Sequence, residues 1–231
     1  MQPTAVALLV RWRPDALLWG SLRLPLGSLG QWLGARRPTG LQFQKFLGSG
    51  RGGGFQIWPS LDHQGWFGVF GQPDQAEEFV QTSALVRSYR QHSAEHLVLQ
   101  LQAYASRGRW SNQAIEPSSE GPGAGPIVSL TRASIRVSRA RAFWAQSPDA
   151  ERDLALAPGC ELAIGLGEMP LLRQATLSLW RDEASLMGYA RSGAHLRAIE
   201  AAYRQGFFTE SLFTRFVVRS ASGHWRGRVY G

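Results

Sequence analysis

Two hydrophobic periods run through the chain, and the switches between them mark the elements. Ala5–Arg11 is a short apolar run that reads as a strand. Leu26–Arg36 carries a helical pattern. Leu41–Leu47 alternates and stops at Gly48, and Gln64–Phe70 reads as another strand. In Asp74–Tyr89 the apolar residues Ala76, Phe79, Val80, Leu85 and Val86 fall on one side of a helix. His96–Tyr104 then closes the set as a strand. Period two marks a half-buried strand and period 3.6 an amphipathic helix.

The same order returns after residue 125. Ile127–Ala133 reads as a strand, Arg139–Leu156 as a helix broken or restarted at Pro148, and Cys160–Leu166 and Ala175–Trp180 as strands. Asp182–Tyr203 reads as one interrupted helix or two short ones, split near Ser192-Gly193, and Leu212–Arg219 as the last strand. Between the sets, residues 111–125 are polar, glycine-rich and proline-bearing, the composition of a linker. Residues 1–110 and 126–231 therefore each read β-α-β-β-α-β, the ferredoxin-like order. Local echoes support the repeat. Gly40-Leu41 through Gly48 answers Gly159-Cys160 through Gly167, and Gly108-Arg109-Trp110 answers Gly223-His224-Trp225. A four-stranded sheet with helices on one face leaves the other face to be covered. The expected class is α+β, tandem ferredoxin-like repeats forming an intrachain dimeric α/β-barrel.

Composition narrows the partners. The 231 residues suffice for a sizeable core, and 44% hydrophobic with 18% charged residues is a globular balance. A single cysteine, Cys160, excludes an intramolecular disulfide framework. The formal charge is +8, and Lys45 is the one lysine among 25 basic residues. Arginine forks suit carboxylates and phosphates. No zinc-finger spacing or RNP pattern accompanies them, so nucleic acid is not an expected partner. Ala5–Val10 is too short to span a bilayer and lacks the start of a signal peptide. A cytoplasmic protein is expected, and basic charge with nine tryptophans permits contact with an anionic membrane face.

Candidate chemistry is sparse. The glycines of Gly48–Phe55 lack the GxxxxGK[ST] spacing of a phosphate loop and read as a turn. Cys160 sits in an apolar strand without a neighbouring histidine, as a small buried residue would. His92 and His96 are four apart but lack the glutamate of HExxH, which favours a solvated helix end over a metal pair. His195 opens a helical stretch and shares a face with Ile199 and Ala202. That pattern fits a partly buried structural histidine or an axial haem ligand. Arg107, Arg109 and Arg132 form basic strand-end positions.

Several blocks along the chain resemble the spheroidene monooxygenase family of carotenoid biosynthesis. They include Val86-Arg87-Ser88-Tyr89-Arg90, Ser106-Arg107-Gly108-Arg109-Trp110-Ser111 and Leu130-Thr131-Arg132-Ala133. Further along come Gly165-Leu166-Gly167-Glu168-Met169-Pro170, His195-Leu196-Arg197-Ala198-Ile199 and Gly206-Phe207-Phe208-Thr209-Glu210. The resemblance implies a haem-containing oxygenase of dimeric α/β-barrel kinship that places a keto oxygen on an acyclic carotenoid. It implies haem b (iron protoporphyrin IX), O2 as co-substrate and an external electron-donor protein. It makes His195 the preferred proximal ligand of the haem iron, with Arg107, Arg109 and Arg132 as candidates for the propionates. The residues leave three rivals open: an aldoxime-dehydratase-like haem enzyme, a non-catalytic haem carrier or sensor, and a cofactor-free oxygenase. Oligomeric state stays open.

Overall fold

The computed structural model describes residues 2–22, 27, 37–191 and 204–231. Strands β1 (Thr4–Trp12), β2 (Leu41–Gly50), β3 (Pro59–Phe70) and β4 (Ser93–Gly108) belong to the first repeat. So do helices α1 (Pro73–Thr82) and α2 (Ala84–His92), and residues 17–22 are helical as well. The second repeat holds β5 (Ile127–Ile135), α3 (Ala140–Ala155), β6 (Cys160–Met169), β7 (Arg173–Trp180), α4 (Glu183–Ala190) and β8 (Phe208–Trp225). A short β9 (Arg228–Tyr230), not expected from the sequence, pairs with the end of β8.

Strand order is β4-β1-β3-β2 in the first repeat and β8-β5-β7-β6 in the second. Both are the ferredoxin-like order, with β1 and β5 central and antiparallel to both neighbours. The class is the expected one: α+β, tandem ferredoxin-like repeats of the dimeric α/β-barrel kind within one chain. The chain forms two compact units. Unit 1 comprises Met1–Gly48, Ser60–Gln102 and Val218–Gly231, and unit 2 comprises Ser49–Pro59 and Ala103–Val217.

In unit 1 one face of the sheet carries Val6, Leu8, Val10, Trp12, Trp66 and Phe70 against Phe79, Val80, Val86 and Tyr89 of α1 and α2. The Trp66 indole stacks on Phe79 at 4.9 Å. A Cβ on Gly68 would lie 2.2 Å from that indole, so only glycine leaves it room. Each such side chain, fully buried, contributes about 1.5–3 kcal/mol. The alternate residues Ala5, Ala7, Leu9, Leu97, Leu99 and Leu101 are buried too. Burial on both faces is why Ala5–Val10 reads as a continuous apolar run instead of an alternation.

The four helix expectations meet the structure differently. The single helix read over Asp74–Tyr89 is two, because Ser83 leaves the helical region with ψ 132°. Its N–H donates to Phe79 O, and its Oγ accepts from Leu85 N at 3.1 Å. One serine thus closes α1 and caps α2. Ser83→Ala is expected to cost about 1 kcal/mol, read as a lower midpoint in chemical denaturation. The break expected at Pro148 is absent, since α3 runs through it. Ser147 Oγ donates to Phe55 O and Phe55 N donates to Glu151, so the 51–58 segment clamps the helix on both sides of the proline. These tertiary contacts offset the bond that proline removes. Of Leu26–Arg36 only Gly27 is among the described residues. Asp182–Tyr203 is seen as α4, with Asp182 capping Ser185 N at 2.7 Å, while 192–203 lie outside the described residues.

Candidate functional site

The helix layer of unit 2 rests on a core of Ile127, Leu154, Trp180 and Leu186. Phe55, Tyr104, Cys160 and Tyr189 pack against it. The Trp180 and Tyr189 rings lie 5.2 Å apart. Burial pushes the Cys160 thiol up to about 11, outweighing its hydrogen bond to Leu162 O. Burial, then the charge of Glu183, raises the Tyr104 phenol to about 12, and its hydroxyl donates to Glu183 at 3.2 Å. Burial also raises Tyr189, with Asp153 adding to it. All three groups keep their protons at neutral pH.

Beside this core a cavity of about 630 Å³ opens between the end of α3 and α4. Leu156, Ala157 and Tyr189 line it, and Asp153, Arg181 and Asp182 make its charged rim. Arg181 Nε pairs with Asp182 at 2.9 Å. Both hydrogen bonding to Arg181 and capping of Ser185 hold Asp182 at about 2. Helix α4 lines the cavity and leads into the stretch that carries His195, which lies outside the described residues.

The other four histidines all lie in unit 1, and each has a partner. His63 Nδ1 meets Asp62 at 2.8 Å, and Ser60 donates to the same carboxylate oxygen. Burial raises the Asp62 carboxyl, but Ser60 and His63 reverse this and leave it below its ordinary value. His92 meets Ser88 O at the end of α2 and stacks on Trp19 at 4.3 Å. His96 and His224, far apart in sequence, face each other with ring centroids 5.2 Å apart. Burial, then His224, holds His96 below the ordinary imidazole value. His92 and His96 therefore have separate surroundings. Among the described residues no three His, Cys, Asp or Glu side chains converge as a metal site.

The strand-end arginines are all in unit 2, and the structure separates them by environment. Arg107 and Arg109 are exposed, and Arg109 Nη1 donates to Asn112 O at 2.9 Å. Arg132 is buried, with 2% of its side chain accessible. Its Nη2 donates to Glu168 at 3.0 Å and its Nη1 to Glu210. Trp110, also buried, donates its indole N–H to the same Glu168 oxygen at 2.7 Å and lies under the guanidinium. Glu210 further accepts the N–H groups of Asn112 and Ser111, both in the left-handed region. Burial raises the Glu210 carboxyl, but those two N–H groups and Arg132 bring it below its ordinary value. Glu168 and Glu210 were not singled out in the sequence. Each sits inside a recognisable block, but their meeting with Arg132 depends on strand pairing that no local spacing reports. The repeat echo does hold here. Trp110 and Trp225 are both fully buried just after a glycine of positive φ, Gly108 and Gly223.

No family model matches the chain. It is 43% identical over 226 residues to a spheroidene monooxygenase of Rubrivivax gelatinosus, covering 98% of the chain and 86% of that relative. A spheroidene monooxygenase of Rhodobacter capsulatus is 34% identical over 212 residues, covering 87% and 86%. Among solved structures, a crystal structure of aldoxime dehydratase aligns with a TM-score of 0.59 and 14% identity over 94% of the chain and 82% of that protein. That likeness is one of fold alone.

Proposed function

The chain belongs to the spheroidene monooxygenase family and is a monooxygenase, and on that footing we propose that it oxygenates an acyclic carotenoid with haem b held by His195. The observation that carries the reading is the 43% identity to a spheroidene monooxygenase across 98% of the chain. The donor chemistry of the described residues supports histidine ligation. The four described histidines each have a hydrogen-bond or ring partner in unit 1. His195 is the remaining imidazole. Haem b, when bound, supplies oxygen activation with electrons from an external donor protein.

The residues of this chain supply binding and dryness. Arg107 and Arg109 are the exposed arginines that suit propionates through charge-assisted hydrogen bonds. Arg132 is committed to Glu168 and Glu210, where it fixes the turn after β4. Tyr104, Tyr189 and Cys160 stay neutral, so these three groups add no charge to the apolar layer around Trp180. Each turnover joins one C–H bond, one O2, two electrons and two protons into a hydroxyl and water. A second hydroxylation at the same carbon gives a gem-diol, which loses water to a ketone. Among the described residues no helix is long and apolar enough to cross a membrane. The proposal places the enzyme in the cytoplasm with peripheral access to a lipid-dissolved substrate.

The test is haem titration followed by turnover of an acyclic carotenoid under 18O2 with a reductant. One haem per chain should give a saturating Soret band, and the hydroxylated intermediate should carry the label. The intermediate is read because a ketone exchanges its oxygen with water. Equal turnover by haem-free protein would overturn the cofactor assignment.

A further inference from the structure

We infer that the β6–β7 hairpin and the start of α3 form a docking surface for an anionic lipid membrane. The hairpin turn exposes Met169 and Leu171, and the segment leading into α3 exposes Val137 at 77%. Leu171 adopts φ 69°, a conformation that favours glycine or asparagine and burdens a bulky apolar residue. The fold thus holds a leucine in the strained position of an exposed turn, where a polar residue would suit both solvent and backbone.

Hydrogen bonds and ring contacts join these pieces into one surface of unit 2. Trp144 Nε1 of α3 donates to Leu171 O at 3.0 Å. Ile135 N donates to Leu172 O at 2.7 Å. Arg136 N donates to Phe207 O, and Phe143 meets Phe208 at 6.0 Å. Trp144 sits at the edge of the patch as an aromatic with a polar handle, the residue type that suits a headgroup boundary.

Charge selects the occupant. Arg136, Arg139, Arg141 and Arg173 flank the apolar positions along the chain, all exposed. None of the four forms an ion pair among the described residues. Residues 127–148 and 169–181 contain no acidic side chain. The nearby carboxylates, Glu168 and Glu210, are turned to the buried Arg132. Arg139 and Arg141 stand at the start of α3, where the helix dipole disfavours cations and no acid occupies the first turn. Exposed apolar side chains, a tryptophan and flanking arginines without an ion pair among the described residues fit acyl chains below anionic headgroups. The inference deepens the reading above by naming where its apolar substrate is met.

Vesicle flotation of the full chain tests it. Vesicles of equimolar phosphatidylglycerol and phosphatidylcholine should carry the protein up at low salt, and pure phosphatidylcholine should not. Each arginine near an anionic surface is worth about fivefold in partition, so R139E/R141E should lower binding by at least about 25-fold. High salt should act in the same direction. Leu171→Asn should weaken flotation several-fold while thermal stability stays level or rises, because asparagine suits φ 69°. That pairing separates lost docking from lost folding. Absence of flotation with the anionic vesicles, or flotation untouched by both variants, overturns the proposal. So does a dimer that R139E/R141E dissociates in a protein blind to vesicles, which would make a second copy the occupant. Flotation is read without haem or carotenoid, so this proposal and the functional reading can fail separately.

Discussion

Arg132→Ala should lower the unfolding free energy at neutral pH by about 3–5 kcal/mol, read from denaturant midpoints at constant slope. The size follows from what is left behind. Arg132 is the shared cation of Glu168 and Glu210, and Glu168 keeps only 12% of its side chain accessible. Removing the guanidinium strands Glu168 where water barely reaches and takes the cation from the more accessible Glu210. Removing charge on both sides is gentler, so R132M/E168Q/E210Q should recover most of the loss. Acid titration gives an independent sign. Glu210 sits below its ordinary value of 4.5 in the folded state, so it stabilises the fold above that value. The contribution disappears as pH falls through the lowered folded value. Without Arg132 the folded carboxyl titrates higher, and the acid limb of the stability curve should flatten. A loss below about 1 kcal/mol for Arg132→Ala would mean that the network is effectively solvated.

The same network shows where sequence reading stops. The strands were legible because their faces impose period two or, under double burial as in Ala5–Val10, an unbroken apolar run. The two-repeat order was legible because each repeat writes the same sequence of periods. The split at Ser83 was not, since the apolar spacing continues across it and only the hydroxyl's hydrogen bond to Leu85 N reports the break. At Pro148 the local rule pointed the wrong way, because Phe55, distant in sequence, supplies the contacts that hold the helix. Arg132 was visible as a basic strand residue, but its partners are set by the registry of β5 with β8, which pairs Ser134 with Glu210. The family blocks carried more than the local patterns did, because they sample positions fixed by the whole fold.

His195→Ala should abolish saturable haem binding at concentrations that fill the native protein. Loss of an outer-shell partner of a ligating histidine costs roughly 10–100-fold in metal affinity, and loss of the ligand itself should exceed that. The Soret band should shift or vanish, a readout that does not depend on turnover. His195→Gly with added imidazole separates ligation from folding. A free imidazole entering the vacated position should restore the native Soret position and part of the oxygenase activity, while glycine alone restores neither. His224→Ala is the control, since that exposed imidazole is held by Ala94 O in unit 1 and belongs to the repeat-end echo. Its spectrum should match the native protein. A His195→Ala protein with unchanged affinity and spectrum would remove His195 from the iron. The ligand would then have to be sought at Cys160, among the unit 1 histidines or in a non-haem chemistry.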